Sequence, residues 1–179
     1  LAALTPFSPA LALFSEDFEQ PFYDEAAGLY ATDHTLVRGL DGLYHLFYIV
    51  GRAGESWSVP GNEIDFGHAS SPDLVHWTVH PRVIPIDPSH GWKSRNVWAP
   101  HVMVAPDGAP APYLMAYTGV DSSLNQAIGI ATSGDLFTWQ DLSVAAPAYH
   151  PDPSWAEWDS GGSWSNCRDP FLARIGGEW

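Results

Sequence analysis

Phe66-Gly67-His68-Ala69-Ser70-Ser71-Pro72-Asp73-Leu74-Val75-His76-Trp77 is echoed further along by Ile128-Gly129-Ile130-Ala131-Thr132-Ser133-Gly134-Asp135-Leu136-Phe137-Thr138-Trp139. Each copy is a short apolar run that ends in S-x-D-L-x-x-W. Each is also preceded by a matched pair: an Asp-Gly turn (Asp41-Gly42; Asp107-Gly108) and an alternating or aromatic run (Leu43 to Tyr48; Pro112 to Gly119). An apolar strand before the turn (Thr35 to Arg38; Val102 to Ala105) and another after the Trp (Thr78 to Ile86; Gln140 to Ala145) complete the unit. Four antiparallel strands in a repeat of about 65 residues is the size of a generously looped propeller blade. The Asp of each S-x-D-L-x-x-W reads as a turn residue that accepts backbone N–H bonds, and the Trp as a wedge between neighbouring units.

Working outward, the repeat divides the chain. Residues 1–30 form an N-terminal segment. A first blade covers about 31–90 and a second about 96–148. A third starts at Arg168-Asp169-Pro170-Phe171-Leu172-Ala173-Arg174, with Gly176-Gly177 as its turn. Two and a half blades leave sheet edges and inter-blade faces uncovered, so the sequence reads as a piece of a larger ring. Leu1 to Phe14 is an Ala/Leu-rich run in which Ala10-Leu11-Ala12 has the small-x-small form of a secretory cleavage site, with an N-terminal strand as the alternative. An extracytoplasmic location follows from the first of these.

Composition agrees with a turn-rich all-β chain. Apolar residues make up 45% and charged residues 16%, and there are 16 Gly and 16 Pro. The net charge of −14, carried against a single Lys and six Arg, repels phosphate backbones and anionic lipid. Nucleic-acid and membrane-surface roles are thereby disfavoured, and a neutral ligand is expected. The nine Trp exceed what a core of this size needs, and exposed indole faces suit the C–H faces of sugars. The lone Cys167 excludes an internal disulfide and a Cys-rich zinc site.

Propellers bind ligands where their innermost strands begin, here Thr32-Asp33-His34, Ala99-Pro100-His101 and Arg168-Asp169-Pro170. The register of the repeat brings these three segments together. Two of them carry a carboxylate, and glycosidic bond cleavage needs such convergence: one carboxylate attacks or activates water while a carboxylic acid protonates the leaving oxygen. His34, His68 and His101 are candidates for the channel lining, as sugar hydrogen-bond partners or as ligands of a central ion. Trp57 and Trp98 are candidate stacking platforms. Trp155, Trp158 and Trp164, in a Gly/Ser/Pro-rich loop, are candidates for a substrate-facing rim.

The stretch Gly42 to Trp77, with Y-H-L-F-Y and F-G-H-A-S-S-P-D-L-V-H-W, resembles the first blade of the five-bladed propeller glycoside hydrolases, and its wording is similar to invertase-like fructosidases. Asn96-Val97-Trp98-Ala99-Pro100 resembles the opening of the second blade in the arabinanase and β-xylosidase family. Asn166-Cys167-Arg168-Asp169-Pro170 resembles the R-D-P motif of the fructosidases' third blade. These are glycoside hydrolase families 32, 43 and 68. The resemblance implies a five-bladed β-propeller acting on fructofuranosides, arabinofuranosides or xylosides, without a cofactor; a structural calcium ion is not legible.

The resemblance makes Asp33 the first carboxylate, nucleophile in a retaining enzyme or general base in an inverting one. It makes Asp169 the second carboxylate, which stabilises the oxocarbenium-like transition state or tunes the acid's pKa while holding sugar hydroxyls, with Arg168 fixing it through bidentate hydrogen bonds. The general acid is a Glu of a later blade, and Glu178 does not match it. The chain departs from the fructosidases in having Ala31-Thr32-Asp33-His34-Thr35 for W-M-N-D-P-N-G, Ile49 for a Gln, and Phe66 for a Trp. Two other readings remain beside the hydrolase: a non-catalytic carbohydrate-binding propeller, and a scaffold for protein partners.

Overall fold

A computed structural model of the chain describes residues 28–159 and 161–173. The N-terminal run Leu1 to Phe14 and the expected third turn Gly176-Gly177 lie outside the described residues. Two four-stranded antiparallel sheets follow one another along the chain, each in simple up-and-down order. The first consists of β1 (Leu29–Arg38), β2 (Tyr44–Arg52), β3 (Phe66–Ser71) and β4 (Thr78–Val83). A single 3-10 turn, Gly91–Lys93, leads into the second, β5 (Asn96–Val104), β6 (Tyr113–Val120), β7 (Gln126–Ser133) and β8 (Trp139–Asp141). No α-helix occurs among the described residues.

The S-x-D-L-x-x-W motif folds the same way twice. Asp73 Oδ1 accepts the N–H groups of Val75 (2.9 Å) and His76 (2.8 Å). Asp135 Oδ1 accepts those of Phe137 (2.8 Å) and Thr138 (2.7 Å). These bonds hold the turn, Leu74 and Leu136 take the left-handed conformation (φ 67° and 68°), and each Trp indole N–H closes onto the Leu carbonyl. Leu136 is fully buried, and Trp139 meets the edge of Phe47 across the gap between the sheets (5.5 Å).

The core lies between the two sheets. Phe47, Ile49 and Phe66 of the first face Val97, Val102, Met115 and Tyr117 of the second. β2 is buried from His45 to Gly51, so both its faces are covered, which accounts for its near-continuous apolar run. A second cluster (Leu46, Tyr48, Val50, Ala69) covers the other face of the first sheet. The first strands of the two sheets run side by side without a ladder between them, and the Val102 N–H donates to Thr35 Oγ1 (3.2 Å). Two consecutive four-stranded sheets packed face to face, with first strands adjacent, is the arrangement of neighbouring propeller blades.

Both first strands are longer than the sequence pattern predicts. β1 begins at Leu29 rather than Thr35, and β5 at Asn96 rather than Val102. The reason is a bulge in each, which breaks the two-residue alternation. Thr32 pairs with Ile49 and His34 with Tyr48, so Asp33 has no partner across the ladder. In β5 the register shifts between Trp98 and His101, so that Ala99 and Pro100 together stand opposite Tyr117. The fourth strands are shorter than expected, ending at Val83 and Asp141.

Candidate functional site

The two bulges open onto shared space. A cavity of about 770 Å³ runs between the first strands, lined by Asp33, His34, Thr35, Leu36, Ala99, Pro100, His101, Asp169, Pro170 and Phe171. A second cavity of about 370 Å³ adjoins it, lined by Thr32, Asp33, Ile49, Trp57, Glu63, Trp98, Trp164, Arg168 and Asp169. Asp33 and Asp169 belong to both. Their carboxylates are 136 residues apart in sequence and share one recess, through the equivalent placement of β1, β5 and the segment from Arg168 onward.

Three side chains of the smaller cavity form aromatic walls. Trp57 meets Trp98 edge-on (centroids 5.6 Å) and Trp164 obliquely (5.5 Å). Perpendicular indoles around a recess offer both a stacking plane and apolar edges, which is how proteins hold sugar rings. Of the rim candidates, only Trp164 lines this cavity. Trp158 is buried, donates from Nε1 to the Gln126 carbonyl (2.8 Å) and stacks on His150 (4.2 Å), so its role is packing. Trp155 stands exposed away from both cavities.

Backbone strain concentrates here. Eight non-glycine residues among those described have positive φ, and four of them line the two cavities: Glu63 (52°), Ala99 (47°), Trp164 (64°) and Asp169 (58°). Such conformations cost about 1–3 kcal/mol each and persist where surrounding structure over-determines them, most often at functional sites. Asp169 is held by its N–H, which donates to Thr118 Oγ1 of β6 (3.1 Å). The segment that follows forms no strand through Ala173, where the sequence pattern places the start of a third blade. It is held by His101, whose Nδ1 accepts the Leu172 N–H (3.0 Å) while its ring lies against Phe171 (4.5 Å). Burial lowers the pKa of His101 from its ordinary value, so it serves as a neutral acceptor.

Two expectations need correction. Arg168 does not grip Asp169 with a fork of bonds: a single Nε to Oδ2 approach of 3.5 Å joins them, and their side chains are 50% and 65% exposed. Solvent screens such a pair, so the loop's own backbone contacts, rather than the guanidinium, orient Asp169. His68 lines neither cavity. It is 1% exposed, sandwiched on Phe47 (4.4 Å) and hydrogen-bonded from Nε2 to His45 Nδ1 (3.0 Å). Its place in β3 turns it into the space between the sheets, whereas His34 and His101 do line the larger cavity.

Glu63 is the cavity residue the sequence did not mark. It sits in the β2–β3 connection, after a Gly61-Asn62 pair that reads as an ordinary turn. The Tyr30 hydroxyl donates to its Oε1 (2.6 Å), and Asn62 Nδ2 donates to the Tyr30 oxygen (3.1 Å). Burial and the adjoining Glu63 push the Tyr30 phenol up to about 12, so it remains a proton donor at all ordinary pH.

The recess thus combines carboxylates from distant segments with indole walls, between two consecutive four-stranded sheets. The chain belongs to glycosyl hydrolase family 32: the description "Glycosyl hydrolases family 32 N-terminal domain" matches residues 28–173. It is 30% identical over 153 residues to the beta-fructofuranosidase insoluble isoenzyme CWINV3 of Arabidopsis thaliana, covering 77% of this chain and 22% of that protein. To the beta-fructofuranosidase insoluble isoenzyme 3 of Oryza sativa subsp. indica it is 33% identical over 143 residues, with the same coverage of 77% and 22%. The chain thus spans about a fifth of the length of the curated relatives it matches. Among solved structures it is similar in fold to a family-43 beta-xylosidase/alpha-arabinofuranosidase from a compost microbial metagenome (TM-score 0.53, 18% identity, 73% of this chain and 38% of that one). It is likewise similar to a family-117 glycoside hydrolase from Zobellia galactanivorans (TM-score 0.53, 16% identity, 74% and 43%).

Proposed function

We propose that the protein carrying this chain is a five-bladed β-propeller glycosidase that cleaves fructofuranosidic bonds, with Asp33 and Asp169 as paired carboxylates. The observation that carries the reading is the convergence of these two residues on both cavities. Membership of family 32 and the beta-fructofuranosidase relatives support the fructoside among the candidate sugars. The aromatic walls support an oligosaccharide or polysaccharide partner.

In this mechanism Asp33 acts on the anomeric carbon, directly or through a water. The bulge serves it, because a residue left out of the ladder can aim its side chain along the channel axis. Asp169, with its backbone fixed by Thr118, presents a carboxylate to the positive charge that develops on the sugar ring. Protonation of the leaving oxygen requires a carboxylic acid, and we assign it to a Glu of a further blade. His34 and His101 hold the sugar at the channel side, and Trp57, Trp98 and Trp164 stack against it. We also assign the protein to the extracytoplasmic space. No helix among the described residues is long and apolar enough to cross a membrane.

The test is hydrolysis of sucrose, inulin, arabinan and xylo-oligosaccharides by the full-length protein and by its Asp33→Asn and Asp169→Asn variants. Each substitution should lower kcat on the order of a thousandfold or more on the preferred substrate, with the melting temperature retained. Wild-type turnover in both variants would end the assignment. Saccharide binding without turnover in the wild type would favour a non-catalytic propeller.

A further inference from the structure

Glu63 is a third carboxylate in the smaller cavity, and the paired-carboxylate mechanism leaves it without a task. It is 8% exposed, yet no Arg, Lys or His among the described residues forms an ion pair with it. Its backbone is left-handed, a conformation that Gly or Asn adopts at little cost and that Glu adopts at roughly 1–2 kcal/mol. A strained, buried, unpaired acid is a costly residue to keep at a turn.

Everything around it fixes its position. Its carbonyl accepts the Val97 N–H (3.2 Å), which ties the loop to β5. Its Oε1 accepts the Tyr30 hydroxyl hydrogen, and the sense of that bond is set by Asn62, whose amide N–H already donates to the phenol oxygen. The Tyr30 ring can lie there only because residue 51 on the facing strand has no side chain: a Cβ on Gly51 would stand 2.1 Å from Tyr30 Cζ. Among the described residues, the arrangement leaves Oε2 with no hydrogen-bond partner in the recess that Trp57, Trp98 and Trp164 wall. Glu63 is 8% exposed and lines this recess, so its open acceptor faces the cavity, where sugar hydroxyls are donors that could replace water on it.

We propose that Glu63 is a specificity-determining residue whose Oε2 accepts hydroxyl hydrogens of the sugar ring bound among the three indoles, with Tyr30 holding Oε1 in place. The proposal deepens the glycosidase reading and rests on it. Asp33 and Asp169 address the glycosidic bond; Glu63 reads the ring's hydroxyl pattern and so sets which furanose or pyranose is accepted.

The test uses the full-length protein with Glu63→Asn, Glu63→Gln and Tyr30→Phe, and measures two things. Fructose, arabinose and xylose are titrated into each variant in an Asp33→Asn background, and KM and kcat are measured in the otherwise wild-type protein. A hydrogen bond to a charged acceptor corresponds to about ten- to hundredfold in affinity. Glu63→Asn and Glu63→Gln should therefore weaken the preferred sugar and raise its KM by that factor, flatten the ranking among the three sugars and leave kcat nearly unchanged. Tyr30→Phe should do the same more weakly. Glu63→Asn also relieves the left-handed strain, so it should melt no lower than the wild type, which separates recognition from folding. Unchanged affinities and KM in a folded Glu63→Asn would overturn the proposal. So would a fall in kcat at constant KM, which would make Glu63 a proton donor. If both Glu63 variants fail to fold, Tyr30→Phe alone decides, and unchanged sugar ranking there overturns it. Should Asp33→Asn and Asp169→Asn retain turnover, the catalytic assignment fails, while the sugar titrations still decide this one.

Discussion

Lowering the pH from 7.5 to 5 should weaken the fold through His68, by an amount the structure specifies. Three histidines on adjacent strands, His45, His68 and His80, lie against Phe137 of the turn between β7 and β8, with ring centroids 5.4, 5.2 and 4.9 Å from it. Asp41 Oδ2 stands 3.1 Å from His45 Nε2, which places the proton there and makes His45 Nδ1 the acceptor. His68 must then donate from Nε2, so its Nδ1 is the atom left to be protonated, and that nitrogen is buried without a partner. Burial, followed by the neighbouring His80 and His45, lowers the His68 pKa from 6.5 to about 3. The unfolded chain therefore takes up a proton near pH 6.5 that the folded one refuses until about pH 3. Stability is full above pH 6.5 and falls by about 1.4 kcal/mol per pH unit below it, until the folded value is reached. Between pH 7.5 and 5 that amounts to about 2 kcal/mol. Denaturant unfolding followed by Trp fluorescence, at the two pH values, should show this loss in the wild type. His68→Gln, which does not titrate, should lose about 2 kcal/mol less than the wild type over the same interval. Equal pH dependence in the two proteins would refute the reasoning.

Four other outcomes follow from the same structure. Lys93 is buried against Asp141 and Tyr117, so Lys93→Met should cost about 3 kcal/mol by denaturant titration, and adding Asp141→Leu should recover much of it. Leu136→Ala, which empties a fully buried site between the sheets, should cost about 2–5 kcal/mol in the same assay. Gly51→Ala should displace the Tyr30 ring and raise KM in the manner of Tyr30→Phe, measured on the preferred glycoside. Trp164→Ala removes one of the indole walls and should weaken sugar affinity about three- to tenfold by calorimetric titration.

The repeat was legible because its signals are local. An Asp that caps a turn and a Trp that closes it need only their own few residues, so S-x-D-L-x-x-W announced the same geometry twice. The convergence of Asp33 and Asp169 was legible through register, since equal spacing along the chain brought both to one recess. The remainder depended on contacts that sequence does not display. Bulges at Asp33 and at Ala99-Pro100 hid the first residues of β1 and β5, because an extra residue inverts the alternation. His68 was read as a channel residue although the two-residue period of β3 turns it toward Phe47. Glu63 followed a plain Gly-Asn turn, and only a left-handed backbone and a tyrosine 33 positions earlier make it part of the recess.

The unpaired state of Asp33 makes the carboxylate dispensable to the sheet. Thr32 and His34 already bond to Ile49 and Tyr48, which are themselves consecutive, so deleting Asp33 would leave every pair of β1 and β2 in register. On the role proposed for Asp33, a single codon lost or gained at this position would switch the chemistry off or on while leaving the ladder on either side unchanged. A fold with its reactive group in such a place can lose chemistry in one genetic step while keeping the recess, and can regain it as easily.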